Sequence, residues 1–192
     1  MQKLALRLAA PVTAVAALAM AGSAFAAPPA WTVNKAASRI NFVSSFEGGG
    51  FVGQFDRWNA QIAFDAKDLA NSKATVSIET ASAKTGDGDR DEALPSNDWF
   101  ASSKFATATF TSISFKSVGG DNYQVAGNLS IKGVSKPVVL PVTIKVAGKT
   151  ATADGTVNID RSLFGVGQGQ FKGGESVPLQ VQVKIHVVAT RP

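Results

Sequence analysis

From Val177 onward the chain alternates strictly: Val177, Leu179, Val181, Val183, Ile185 and Val187 take the odd positions, and Pro178, Gln180, Gln182, Lys184 and His186 the even ones. Successive side chains of a β-strand point to opposite faces, so this period of two describes a strand with one apolar and one wet face. The same rhythm runs through Val138, Leu140, Val142, Ile144 and Val146, through Tyr123, Val125, Leu129 and Ile131, and through Val157 and Ile159. Nearer the N-terminus it carries Ile40, Phe42 and Phe46, then Val76 and Ile78. A chain whose segments nearly all have one apolar face must bring those faces together. About eight such strands close into an antiparallel barrel with no exposed edge.

Two segments change phase. Phe55 lies on one phase and Trp58, Ala60, Ile62 and Phe64 on the other, which predicts a bulge near Asp56-Arg57; Phe110 followed by Ile113 and Phe115 predicts a second slip. Turn signals at Gly48-Gly49-Gly50, Asn71-Ser72, Gly119 to Asn122, Gly148-Lys149 and the glycine-rich Gly165 to Gly174 separate the strands. The non-strand insert is Gly86 to Lys104. Its composition predicts a helical turn from Asp87 to Leu94, stopped by Pro95, and a second short helix through Trp99-Phe100 capped by Ser96-Asn97-Asp98. The fold class is therefore all-β, an antiparallel barrel of about eight strands with a short helical insert.

Residues 1–26 read as a secretory signal peptide. Lys3 and Arg7 precede an apolar run from Leu8 to Ala24, and Ala24-Phe25-Ala26 presents small residues where a signal peptidase reads them, so cleavage is expected after Ala26. The mature chain is then one domain, 27–192, in which no stretch has the length and apolarity of an integral membrane span. Removing Lys3 and Arg7 leaves 17 basic residues against 14 acidic ones, and these are scattered, which gives no footprint for nucleic acid.

Composition removes most catalytic chemistries. With no Cys there is no thiol nucleophile, thiolate-bound metal, disulfide or acyl anchor, and the one His, His186, lies on the polar phase of its strand. Asp87-Gly88-Asp89-Arg90-Asp91, with Asp98 at the twelfth position, has the spacing of a calcium loop. It carries Glu92 where the loop needs Gly, Arg90 amid the ligands, and no bidentate Glu at its end. Gly165-Val166-Gly167-Gln168-Gly169 lacks the spacing of a nucleotide-binding turn and reads as a flexible hairpin connection. No catalytic constellation, metal or cofactor is expected. The aromatic supply is more informative. Of 12 Phe, 11 remain once Phe25 is set aside. Phe42, Phe46, Phe55, Trp58, Phe64, Phe110 and Phe115 lie on strands, and Trp99, Phe100 and Phe105 on the insert, as candidates for an apolar lining. A barrel of this strand number is either filled by such side chains or holds one small ligand, and periodicity does not choose between them.

Longer motifs also occur in a characteristic order. Trp31-Thr32-Val33, Ser38-Arg39-Ile40-Asn41-Phe42, Gly53-Gln54-Phe55 and Ile62-Ala63-Phe64-Asp65 are followed by Thr85 with Arg90-Asp91-Glu92-Ala93-Leu94, by Asp98-Trp99-Phe100, and by Phe105 to Phe110. The most specific piece runs from Gly127-Asn128-Leu129 through Lys132-Gly133 to Pro137-Val138. Across essentially the whole mature chain these motifs resemble the YceI-like family, the lipocalin-like, polyisoprenoid-binding barrel proteins of the bacterial periplasm. The resemblance implies a periplasmic, elongated barrel capped by the insert, whose interior holds a long isoprenoid or fatty chain such as a quinone tail or a polyprenyl lipid. It also implies that Phe164, beside Gly165-Val166-Gly167, lies at a barrel end, where it is a further candidate for the apolar lining. Many members carry a His after the first strand's Phe where this chain has Ser44-Ser45-Phe46, so no role of that His transfers.

A polar head group calls for a cation near the barrel mouth, for which Arg57, Arg90 and Arg161 are candidates. Two other readings stay open: a hydrolase using Asp87, Asp89 or Asp91 near the mouth, and a filled-barrel stress or interaction protein acting through its surface. The sequence also leaves open the identity of the lipid, whether it is carried, stored or sequestered, homodimer formation, and transient contact with a membrane or membrane redox proteins.

Overall fold

The structure, a computed structural model, describes residues 27–192; the expected signal peptide, 1–26, lies outside the described residues. The strands are β1 (Ala30–Val33), β2 (Arg39–Phe46), β3 (Gly49–Phe55), β4 (Trp58–Ala63), β5 (Lys73–Glu79), β6 (Ala83–Lys84), β7 (Thr107–Gly119), β8 (Asn122–Ile131), β9 (Val134–Ala147), β10 (Thr150–Asp160) and β11 (Gln180–Thr190). Every pairing is antiparallel, and β1 pairs with both β4 and β11. That double pairing closes the ring β1-β4-β5-β7-β8-β9-β10-β11, the eight-stranded barrel that the alternation predicts.

Among the described residues eleven strands rather than eight are present because three neighbouring lines of the wall are broken. A 3-10 turn at Lys35–Ala37 separates β1 from β2, Asp56-Arg57 separates β3 from β4 at the predicted bulge, and Thr80–Ser82 separates β5 from β6. Buried hydroxyls serve the backbone groups that an unbroken ladder would have paired. Ser82, 1% exposed, donates to the Glu79 carbonyl at 2.6 Å and accepts from the Arg57 N–H at 3.0 Å, while Thr80 donates to the Phe105 carbonyl at 2.9 Å. Beyond the breaks β6 pairs with β3 but not with β7, and the insert between them occupies that part of the wall. The second predicted slip lies in β7. Its register against β8 shifts between Ser112 and Ser114, which turns Ile113 out to solvent and lets both Phe110 and Phe115 face inward.

The first half of the insert follows expectation. Helix α1 (Gly88–Ala93) is N-capped by Asp87, whose carboxylate accepts the Arg90 N–H at 3.0 Å. The predicted second helix does not form, and Pro95 to Lys104 is a series of turns. The Asp98 carbonyl, which such a helix would use internally, instead accepts the N–H groups of Gly167 and Gln168, each at 2.8 Å. These bonds join the insert to the loop between β10 and β11.

Both ends of the barrel are thereby defined. At one end Trp31, Phe64, Tyr123, Val142, Ile144 and Ala189 pack as a buried cluster, and the Trp31 indole donates to the Phe64 carbonyl at 2.9 Å. At the other, Phe42, Ala83 and Leu94 pack with Phe55, Trp99 and Phe100 of β3 and the insert. Gly53 is needed beside this second cluster. It faces Phe42 across the β2–β3 pair, and a Cβ there would overlap the Phe42 ring.

Candidate functional site

The inward-facing strand phases do not meet along the barrel axis. They enclose a cavity of about 610 Å³, within the range of natural small-molecule sites. Its wall is almost wholly carbon: Val125, Leu140, Val142, Val183, Ile185 and Val187 are among the strand residues that face it, as alternation predicts. At the closed end the lining residues Trp31 and Phe64 are 5% and 3% exposed, so a packed aromatic floor seals it. The Phe64 ring meets Tyr123 edge-on at 5.4 Å and Phe115 at 5.7 Å.

Polar groups enter the lining only near the other end, in Ser44, Thr85, Asp87, Asp89, Arg90 and Arg161. Asp89 is exposed, and Asp87, Arg90 and Phe46 are half-buried, which makes this end the mouth. Nine of the sequence-selected aromatics face the cavity: Phe42, Phe46, Phe55, Trp58, Phe64, Trp99, Phe100, Phe110 and Phe115. Phe105 and Phe164 do not. Phe105 lies against Gly133 in the β8–β9 turn, and Phe164, 2% exposed, packs with Ile159 and Val166 behind the mouth.

The three arginines part company. Arg57 points outward into an exposed pair with Glu79, Nη2 donating to Oε1 at 2.9 Å, and is absent from the lining. Arg161 reaches the lining but is 4% exposed, and its guanidinium donates to the carbonyls of Pro178, Val166, Gly167, Phe171 and Val177. Burial pulls its pKa below the ordinary arginine value, with nearby Asp160 opposing the shift. These five bonds pin the glycine-rich loop, which is therefore a tied structure rather than the flexible connection its composition predicts. Arg90 is the arginine at the opening. It lies 4.7 Å above the Phe51 ring, 3.5 Å from Asp87, and its Nε donates to Thr85 Oγ1 at 3.3 Å.

The carboxylates near the mouth have structural employment. Asp91 accepts the Thr85 N–H at 2.6 Å and the Thr85 hydroxyl at 2.8 Å. Burial pushes its pKa upward, but the Thr85 bonds and the charges of Lys84 and Arg90 outweigh that and hold it below the usual carboxylate value. Asp87 caps α1, and Asp89 makes no ion pair among the described residues. His186, on the outer face, has Nδ1 2.6 Å from Asp154 Oδ1, a pairing the local sequence does not reveal. Among the described residues no cluster of His, Cys, Asp or Glu has the makings of a metal site, and no helix is long and apolar enough to cross a membrane.

Sequence reasoning missed several wall residues. Phe51 shares the period-two phase of Gly53 and Phe55 and was legible there; Ser44 likewise lies between Phe42 and Phe46. Phe171 carried no periodic signal. It packs against Trp99, ring centroids 5.2 Å apart, from within the glycine-rich loop.

Comparison with known proteins places this geometry. The family model described as YceI-like domain matches residues 31–189. A "UPF0312 protein" of Azotobacter vinelandii is 32% identical over 177 residues, covering 88% of this chain and 91% of the relative. Among solved structures, BcnA of Burkholderia cenocepacia aligns with a TM-score of 0.79 and 37% identity over 82% of this chain and 99% of its own. A polyisoprenoid binding domain from Saccharophagus degradans aligns with a TM-score of 0.68 over 85% of this chain and 99% of its own; at 19% identity that likeness is one of fold.

Proposed function

The chain belongs to the YceI-like family, and from that premise we propose that it is a periplasmic lipid-binding protein whose barrel holds the apolar tail of an isoprenoid quinone or polyprenyl lipid, without catalysing a reaction. The observation that carries this reading is the cavity itself. It is about 610 Å³ of apolar space with a sealed aromatic floor, and its polar lining is gathered at the opposite end. A ligand with a long apolar tail and one polar end matches that distribution, and each methylene withdrawn from water contributes about 0.8 kcal/mol. The polyisoprenoid binding of the Saccharophagus degradans domain that shares the fold supports the same class of ligand.

The alternatives have less behind them. An interior of this volume is not that of a filled barrel. For a hydrolase, Asp87 and Asp91 are already engaged in holding the insert, which leaves Asp89 alone at the opening. Lipid extraction and mass spectrometry of the purified mature protein, followed by titration of the delipidated protein with prenyl quinones and prenyl alcohols, tests the proposal. Co-purified isoprenoid or saturable binding is expected. A protein that is empty and binds none of these lipids overturns it.

A further inference from the structure

The chemistry of the ligand's polar end can be narrowed, on the premise that the cavity takes an isoprenoid tail. A phosphorylated head requires free cationic donors where it emerges from the barrel. Both arginines of the lining already have partners. Arg161 is turned away into five backbone carbonyls, and Arg90 is held between Asp87, Thr85 and the Phe51 ring. Two carboxylates, Asp87 and Asp89, line the same opening. The first turn of α1 offers no anion site either, because Asp87 already caps it and accepts the Arg90 N–H. An anionic head would leave water to face more negative than available positive charge, and a partly dehydrated opening strengthens that repulsion.

A different group is left wanting a partner. Ser44 lies on the inward phase of β2 between Phe42 and Phe46, and its hydroxyl oxygen is buried with no hydrogen-bond partner among the described residues. It sits directly across the β2–β3 pair from Phe51, the ring on which Arg90 rests, so it belongs to the mouth half of the cavity. A buried hydroxyl in an apolar wall is a liability until an oxygen or nitrogen of a ligand reaches it. We infer that the bound lipid ends in an uncharged, oxygen-bearing head, such as a quinone carbonyl or a prenyl alcohol, that Ser44 hydrogen-bonds it, and that the acidic opening discriminates against phosphorylated prenyl chains.

The test uses the delipidated mature protein and four probes: farnesol, a farnesylated benzoquinone, farnesyl phosphate and squalene, which has no polar end. Farnesol and the quinone should each bind about tenfold or more tightly than farnesyl phosphate. Asp89→Asn should raise the affinity for the phosphate relative to farnesol, and Ser44→Ala should weaken farnesol about fivefold relative to squalene. Farnesyl phosphate binding as tightly as farnesol, or an unchanged farnesol-to-squalene ratio in Ser44→Ala, overturns the inference while leaving lipid binding intact. Failure of all four probes overturns the lipid-binding reading itself, and the two failures are thus distinct.

Discussion

The floor and the mouth of one cavity are built by opposite means. At the floor, Trp31, Phe64 and Tyr123 come from regular strands or the residue just beyond one, Phe64 meets Tyr123 edge to face, and the Trp31 indole is satisfied by a single carbonyl. At the mouth the pieces are loops, and charged side chains hold them. Arg161 gathers the β10–β11 loop, and Lys132 donates to the carbonyls of Asn97 and Gly165, each at 2.7 Å, tying the β8–β9 turn to both the insert and that loop. The difference teaches that apolar burial is sufficient where strands supply the wall. Where the wall is irregular, its backbone carbonyls need donors, and long cationic side chains supply them.

The sharpest way to break this comparison is at Arg161. Arg161→Met strips five carbonyls of their donor in a buried site and should cost about 3–5 kcal/mol, lowering Tm by about 10 °C. Amide exchange should rise through residues 162–178 while the floor strands stay protected; uniform loosening of the barrel would refute a separately held mouth. Phe64→Ala is the complementary lesion. Deleting a ring that is 3% exposed should cost about 3–4 kcal/mol, with exchange rising first in β4 and β8 and the mouth unaffected.

Acid should separate the two ends without mutation. Because the Asp91 carboxyl sits below its ordinary pKa, its contribution is complete above the ordinary carboxylate value and is lost as pH falls through the lower folded-state one. Below about pH 4 the insert should therefore exchange faster, while the floor cluster, which contains no carboxylate, keeps its protection. Asp91→Asn should lose about 1 kcal/mol at neutral pH and abolish that acid-sensitive step in the insert. The smallest effect is expected at Arg57→Gln. Its pair with Glu79 is exposed and lies outside the cavity, so neither thermal melting nor lipid titration should change measurably.

Much of the candidate site is legible in the amino-acid sequence, and the exceptions have a common cause. Strand residues such as Phe42, Trp58, Phe110 and Phe115 announce their direction through neighbours two positions away, and even the phase slips at Asp56-Arg57 and Ile113 are visible as local breaks in that rhythm. Phe171 and the true role of Arg161 are not legible there. Phe171 finds its place through Trp99, and Arg161 through carbonyls as far along as Pro178. The expected second helix of the insert fails for the same reason, since a loop nearly seventy residues later claims the Asp98 carbonyl.

By itself, then, the sequence determined an all-β chain, which side chains turn inward, and where the rhythm slips, because the pleat of a strand is a local property repeated every two residues. Only the tertiary structure decided that the interior is open rather than filled, and what engages each arginine near its mouth. The bore of a barrel depends on strand number, tilt and register together, so the volume left after the side chains are packed has no local signature. The availability of a guanidinium depends likewise on carbonyls brought to it by distant loops.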